Sequence, residues 1–458
     1  MENFSTKKSN LTLLCDFYEL TMMQGYFLNG FENKICYFDV FFRKTPDNNS
    51  FAIFAGLSEI LDFVANVSFN AEDIAYLRSK NIFCEEFLNY LLDFKFNGEI
   101  YSVQEGEIIF PNEPFMIVKA NPIEAQFLET FLLLNINHQS LIATKANRIV
   151  MAAKNRPVFE FGSRRAHGND AAIKGAKAAI IGGCFASSCT LAGKKYDINI
   201  SGTMAHSWIQ MFDNEFEAFC HYIELYPKNP ILLIDTYHYE SGLKNAIKAF
   251  KKYNIKECGI RIDSGNLAFL SQNIRKKLDS ENLKECKIIV SNSLDEFEIE
   301  KLQNLPIDAF GVGERLITAS SNPVFGCVYK LVAIQEFDII KPKIKISENN
   351  SKTTLPHFKK IFRIYNKKTK KALYDEIYIY DEKLDELDDD LERKEMLQCV
   401  FKNNQIQIKN LKISQIALYT KNQINSLEKN ILCDNSQYLI KISHKLQILK
   451  TNLTHQAD

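Results

Sequence analysis

The chain has 458 residues, 46% of them hydrophobic and 24% charged, with Lys+Arg and Asp+Glu equal at 56 each. That length allows two or more domains, or one barrel with an elaborated flank, and the composition is that of a globular protein. The balanced charge gives no reason to expect nucleic acid or an anionic membrane as a partner, so any anion must be met by groups gathered locally.

Eleven cysteines run from Cys15 to Cys433 without a CxxC pair. Cys184 and Cys189 are the nearest two and lack zinc partners at the usual spacing. The opening "MENFSTKKSN" has no apolar h-region, and no run approaches ~18 apolar residues. Reduced thiols in the cytoplasm are the expectation.

In chain order, residues 1–140 mix aromatic-rich segments such as "ICYFDVFFRK" with "EIYSVQEGEIIFPNEPFMIVKA". The latter predicts short strands around turns at Glu105-Gly106 and Pro111-Asn112. The apolar spacing of "IEAQFLETFLLLNINHQSLIATKANRIVMAAK" predicts helices. Residues 141–334 alternate short apolar runs with amphipathic stretches. The runs are 158–161, 198–201, 231–235, 259–263, 287–291, 308–313 and 327–334. Between them lie helix-like segments such as "SGLKNAIKAFKKY" and "SLDEFEIEKLQN", the second with a Ser-x-x-Glu start. Asp235 to Asp263 spans 28 residues, and Asp263 to Ser291 spans 28 again, the length of a strand–loop–helix–loop unit. Seven such runs suggest a parallel α/β barrel, although a doubly wound open sheet shows the same alternation. In residues 335–458, "FRIYNKKTKKALYDEIYIYDE" predicts a hairpin. "DEKLDELDDDLERKEML" reads as a solvated helix face or loop, and the tail is rich in Lys and Asn.

Parallel α/β folds place their chemistry at the C-terminal ends of strands. Here those ends carry Arg164 and Arg165; Thr203 and His206; Asp235, Thr236 and Tyr237; Arg261, Asp263, Ser264 and Gly265; Ser291 and Asn292; and Gly311 and Gly313. The three arginines call for phosphate or carboxylate oxygens. "GVG" can wrap backbone N–H groups around a phosphate. Asp263 before Ser264-Gly265 suits vicinal ribose hydroxyls, and Asp235 suits either that role or a Mg²⁺ water shell. A lone GxG is more often a turn, paired arginines are usually surface residues, and a lone histidine is more often a satisfied polar group. Ordered recurrence at six strand ends describes a site for a phosphorylated sugar with a second anionic group.

These residues resemble the nicotinate phosphoribosyltransferase family. The likeness runs through "CDFYELTMMQGYF", "EFGSRRAHG", "SGTMAHSW", "LLIDTY", "IRIDSGNL", "GVGERLIT", "NPVFGCVYKLV" and "SENNSKTTLP" with its following "FRIY", about residues 11–380. It implies the type II phosphoribosyltransferase fold: an irregular, incomplete α/β barrel plus an α/β sandwich built from N- and C-terminal segments. It also implies a homodimer with shared active sites. The implied reaction joins nicotinate to 5-phosphoribosyl 1-pyrophosphate with coupled ATP hydrolysis and Mg²⁺. By the same resemblance His206 is the phosphorylated histidine. Tyr18 stacks on the pyridine ring from the partner subunit, with Phe161 supplying the opposing face. Thr203 and Arg261 match nicotinate positions, and Arg164 or Arg165 competes with Arg261 for the carboxylate or takes pyrophosphate. Asp235 and Asp263 serve ribose and metal-linked roles, while Gly311, Gly313 and Thr318, rather than Glu314, hold the 5-phosphate. Gly265, Ser291 and Asn292 complete the substrate-binding set. The rival readings are a nicotinamide or quinolinate phosphoribosyltransferase, a non-catalytic phosphoribosyl-metabolite sensor, and a barrel lyase with a Schiff-base lysine at Lys330.

Overall fold

The computed structural model describes residues 10–346, 353–433 and 436–455. They fall into two units. One draws on residues up to 140, 324–411 and 421 onward, the other on residues 141–323 with 412–420. The first six residues of "SENNSKTTLP", 347–352, lie outside the described residues.

The first unit is built on a seven-stranded antiparallel sheet. The aromatic run Ile35–Phe42 lies near its middle and is buried along almost its whole length. Asp39 interrupts that apolar strand and is matched by the buried Lys359 ammonium at 2.8 Å. Burial still pushes the Asp39 carboxyl up to about 6, against the opposing pull of Lys359. The predicted turns are present, with Gly106 at φ 89° and Asn112 at φ 67° between the short strands. The predicted hairpin is present too, Lys359–Asn366 against Ala372–Ile379 in a four-stranded sheet. Its Arg363 is fully buried and bonded to Asp375 at 2.8 Å and Glu107 at 2.9 Å. Removing one partner of such a pair typically costs about 3–5 kcal/mol.

Two expectations are corrected in this unit. The run at 327–334 is not one of the parallel strands. It forms Cys327–Glu336, antiparallel to Ile35–Phe42, because its alternating partly buried pattern fits a half-exposed sheet position. The end of the acidic run is neither helix nor loop. Leu391–Glu395 forms an edge strand beside Lys359–Asn366, where its alternating charges blunt an open edge.

The second unit carries a six-stranded parallel sheet. Its spatial order is Ala186–Ser187, Val158–Glu160, Ala309–Val312, Lys287–Ser291, Gly259–Ile262, Ile231–Leu233. The last strand in sequence therefore pairs with the first, as in a barrel. The circle stays open, because the run at 198–201 contributes only one bridge, Ile200 to Ser187. No pairing joins it to Ile231–Leu233 among the described residues. The two-residue strand Ala186–Ser187 is too short to register as a sequence pattern. Amphipathic helices cover the sheet, as in Tyr239–Lys252, which buries Leu243, Ala246, Ile247 and Phe250 at helical spacing. Gly242 allows that helix to lie close, since a Cβ there would sit 2.0 Å from the Ile234 carbonyl oxygen. The helix Glu296–Lys301 starts where expected, but its cap is Asp295 rather than Ser293; the Asp295 carboxylate accepts from the Glu298 N–H at 2.9 Å.

Candidate active site

Parallel register alone aligns the strand-end residues. Arg261 lies opposite Leu233, Val290 opposite Ile262, Gly311 opposite Ser291, and Val312 opposite Glu160. One or two residues further along, Asp235, Asp263, Ser291, Gly311–Gly313 and Phe161 follow one another along one rim. Side chains then tie the row together. The Asp263 N–H and the Ser264 hydroxyl donate to Asp235 Oδ2 at 2.8 and 2.6 Å, and the Ser291 hydroxyl donates to Asp263 Oδ1 at 2.5 Å. Asp235 Oδ1 is buried without a protein partner among the described residues. A buried, unsatisfied carboxylate oxygen is costly unless a ligand meets it.

His206 opens the short helix His206–Gln210, beyond the bridge at Ile200. Its Nδ1 is 3.1 Å from the Thr236 hydroxyl, and its Nε2 is 4.0 Å from Asp263 Oδ2. The half-exposed ring thus stands between two strand ends, with one nitrogen partnered and the other turned toward the carboxylate row. The Arg261 guanidinium donates to the Thr203 hydroxyl, while its Nε–H is buried without a partner among the described residues. Burial lowers the pKa of this guanidinium; Asp263 and Asp235 oppose that shift, and nearby Arg164 adds to it. A planar cation with unspent donors and a neighbouring hydroxyl suits a flat carboxylate.

Phe161 lies at the other end of the row, its N–H donating to the Val312 carbonyl at 2.7 Å. A Cβ on Gly311 would meet the Phe161 ring at 2.7 Å, so the glycine makes room for the ring. Arg164 and Arg165 occupy an exposed 3-10 turn, Ser163–Arg165, held by the buried Glu160, which accepts from the Gly162 N–H and from Ser187 at 2.5 Å. Burial raises the Glu160 carboxyl above the usual range, with Ser187 and Gly162 opposing. Gly313 leads into Glu314–Ile317, and the Thr318 hydroxyl donates to the Glu314 carbonyl at 2.7 Å, leaving its lone pairs free. Asn292 is exposed with φ 121°, and Gly265 has φ 81°.

Tyr18 belongs to the first unit, exposed on the helix Phe17–Leu28. Lys330 also lies there, in the antiparallel strand Cys327–Glu336 and 3.8 Å from Glu129. Sequence reasoning missed the clamp of Glu160 on Ser187 and the role of Thr236 as partner of His206. Both depend on which strands are neighbours, for which no local signal exists. All eleven cysteines are free, and no described helix is long and apolar enough to cross a membrane.

Comparison with known proteins gives a consistent result. Residues 13–137 match the model of the nicotinate phosphoribosyltransferase N-terminal domain, and residues 157–405 match that of the nicotinate phosphoribosyltransferase family. Nicotinate phosphoribosyltransferase of Bacillus subtilis is 42% identical over 391 residues, covering 84% of this chain and 80% of the relative. The Caenorhabditis elegans protein of the same name is 35% identical, covering 78% of this chain and 74% of its own length. The fold is similar to that of human nicotinic acid phosphoribosyltransferase, with a TM-score of 0.83 and 24% identity over 96% of this chain and 100% of that one.

Proposed function

The chain belongs to the nicotinate phosphoribosyltransferase family, and from that membership we propose that its strand-end row joins nicotinate to 5-phosphoribosyl 1-pyrophosphate. The products are nicotinate mononucleotide and pyrophosphate. The pyridine nitrogen forms the new bond to C1 of the ribose as the C1–O bond breaks, and its electrons depart with pyrophosphate. The protein aligns the partners and stabilises the leaving charge rather than making a covalent bond to the sugar. Arg261 with Thr203 takes the nicotinate carboxylate, and Phe161 offers one ring face. Asp263 and Asp235 meet the ribose hydroxyls. Gly311, Gly313 and Thr318 hold the 5-phosphate, and Arg164 and Arg165 face the pyrophosphate.

The observation that carries this reading is the single row formed by Asp235, Asp263 and Ser291, with Arg261–Thr203 beside it. It provides for a diol, an acid and a phosphate at neighbouring positions. ATP hydrolysis couples through His206. Its Nε2 attacks the γ-phosphorus, a phosphohistidine forms, and ADP leaves with the electrons of the broken anhydride bond; water then attacks the phosphorus, the P–N bond breaks, and inorganic phosphate leaves as the imidazole regains its electron pair. Mg²⁺ fits beside Asp235, whose orphan Oδ1 suits its water shell, and it would neutralise charge on the leaving pyrophosphate. A homodimer carrying exposed Tyr18 to the partner's site, and free cysteines in a cytoplasmic setting, complete the reading.

Family membership favours a transferase over a metabolite sensor, and Lys330 belongs to an antiparallel strand rather than to the parallel strand that a barrel lyase would need. Incubation of the protein with 5-phosphoribosyl 1-pyrophosphate and nicotinate, nicotinamide or quinolinate, assayed in parallel, tests the substrate. Nicotinate mononucleotide is expected. Turnover of nicotinamide alone would overturn the assignment.

A further inference from the structure

Two rim segments, one carrying Ser291 and Asn292 of the substrate-binding set and the other the proposed 5-phosphate residues, rest on backbone that is costly to hold. After Lys287–Ser291 come two successive left-handed residues, Asn292 at φ 121° and Ser293 at φ 44°. After Ala309–Val312 and the turn Glu314–Ile317 comes Ala319 at φ 44°. Non-glycine residues stay in such conformations only where their surroundings over-determine them. The ends of both segments converge on one buried side chain. Lys145 Nζ donates to Glu296 Oε1 at 2.8 Å and to the Ser321 hydroxyl at 2.7 Å. Glu296 directly follows the cap at Asp295, and Ser321 lies two residues past Ala319. Lys145 and Glu296 are 3% and 4% exposed, so water does not compete for this pair.

Two further bonds reinforce the convergence. Arg148 Nε reaches the same Glu296 oxygen at 3.1 Å, one helical turn beyond Lys145. Arg315, two residues after Gly313, donates to Asp295 Oδ2 at 2.5 Å and joins the two segments directly. The motif alone does not account for this arrangement. "GVG" and "SNS" supply backbone donors, while the bonds that relate the two segments come from Arg315, Asp295 and, on a separate helix, Lys145.

We propose that Lys145 is a positioning residue for the phosphoribosyl substrate, setting the Asn292–Asp295 and Gly313–Ser321 segments in one fixed relation through Glu296 and Ser321. It touches no substrate. The inference rests on the proposed function, in which Gly313 and Thr318 hold the 5-phosphate and Asn292 lies beside them, and it adds the group that holds the two segments. Its signature is selective. The neutral variant loses affinity for 5-phosphoribosyl 1-pyrophosphate and keeps its affinity for nicotinate, whose proposed contacts lie on Arg261, Thr203 and Phe161.

The test is steady-state kinetics of Lys145→Met and Ser321→Ala, with each substrate varied in turn, and thermal melting of both proteins. A rise in KM for 5-phosphoribosyl 1-pyrophosphate on the order of tenfold to a hundredfold is expected for Lys145→Met, with KM for nicotinate changed less than about twofold. Ser321→Ala cuts only one of the two tethers, so a smaller shift in the same direction is expected with an unchanged melting temperature. It also keeps the test decisive if Lys145→Met fails to fold. Unchanged KM values in Ser321→Ala, or both KM values moving by the same factor, would overturn the proposal. A wild type that makes no nicotinate mononucleotide would instead defeat the reading on which it rests.

Discussion

The Nδ1 atom of His206 lies 3.1 Å from the hydroxyl of Thr236, a residue thirty positions further on at the end of a different strand. When that hydroxyl accepts from Nδ1–H, the Nε2 lone pair is left unprotonated and turned toward Asp263, 4.0 Å away. The proposed phosphoryl capture needs the tautomer in which Nδ1–H donates to Thr236, a partner that sequence proximity does not supply. His206→Ala is expected to fold normally, to retain slow phosphoribosyl transfer and to lose its link to ATP. Incubation with γ-labelled ATP should give an acid-labile, base-stable adduct on wild type and none on the variant. Thr236→Val should slow adduct formation by roughly tenfold. Unchanged ATP coupling in His206→Ala would remove the role assigned to the ring.

In the proposed site Arg261 is the group that would select acid over amide. Lysine in its place keeps a charge but loses the planar fork and the bond to Thr203. A hydrogen bond between charged groups is worth about 1.5–3 kcal/mol, so Arg261→Lys should raise KM for nicotinate by roughly ten- to a hundredfold. Selectivity for nicotinate over nicotinamide, measured as the ratio of kcat/KM values, should fall with it. An unchanged ratio would place the carboxylate on Arg164 or Arg165 instead.

Gly311→Ala sets a Cβ 2.7 Å from the Phe161 ring, closer than van der Waals contact allows. Overpacking of this kind costs about 1–3 kcal/mol and displaces the softer partner, here the ring. A lowered melting temperature together with a raised KM for nicotinate is the expected pair of changes. A lowered melting temperature with full nicotinate affinity would show that Phe161 does not meet the pyridine.

Glu19, beside Tyr18, is buried. Thr130 donates to its Oε1 from the backbone N–H at 2.9 Å and from its hydroxyl at 2.5 Å, while Oε2 has no partner among the described residues. Burial pushes this carboxyl up from 4.5 to about 7, the Thr130 bonds opposing and Glu129 and Asp16 adding to the rise. The folded state therefore binds the proton more tightly than the unfolded chain does. The resulting stability is fully present below about pH 4.5, declines as the pH rises through about 7 and is gone above it. At about 1.4 kcal/mol per unit the span is on the order of 3 kcal/mol. Melting of Glu19→Gln and wild type from pH 5 to 8 should show the difference moving in favour of the variant as the pH rises. Parallel curves would mean that Glu19 does not titrate in this range.

The sequence by itself determined most of the elements and which residues stand at the ends of the parallel strands. Alternating apolar runs and amphipathic stretches gave the parallel strands and helices of the second unit, because periodicity is a local property of the chain. The equal spacings Asp235–Asp263–Ser291 already implied that these residues end equivalent strands, and they prove to be direct neighbours. Motif order was sufficient to indicate the family.

Tertiary structure decided what depends on partners. The apolar run at 327–334 fits either sheet, and only the presence of Ile35–Phe42 made it antiparallel. The run at 198–201 reads as a strand but forms a single bridge, so the barrel stays open beside His206. Lys145 gave no signal at all, since a lysine on a predicted helix is ordinarily solvated; burial against Glu296 and Ser321 is a property of three distant segments meeting. Propensity and pattern are written residue by residue. Registry, burial and charge pairing are fixed only when the chain closes on itself, and they select one arrangement among several that the same pattern allows.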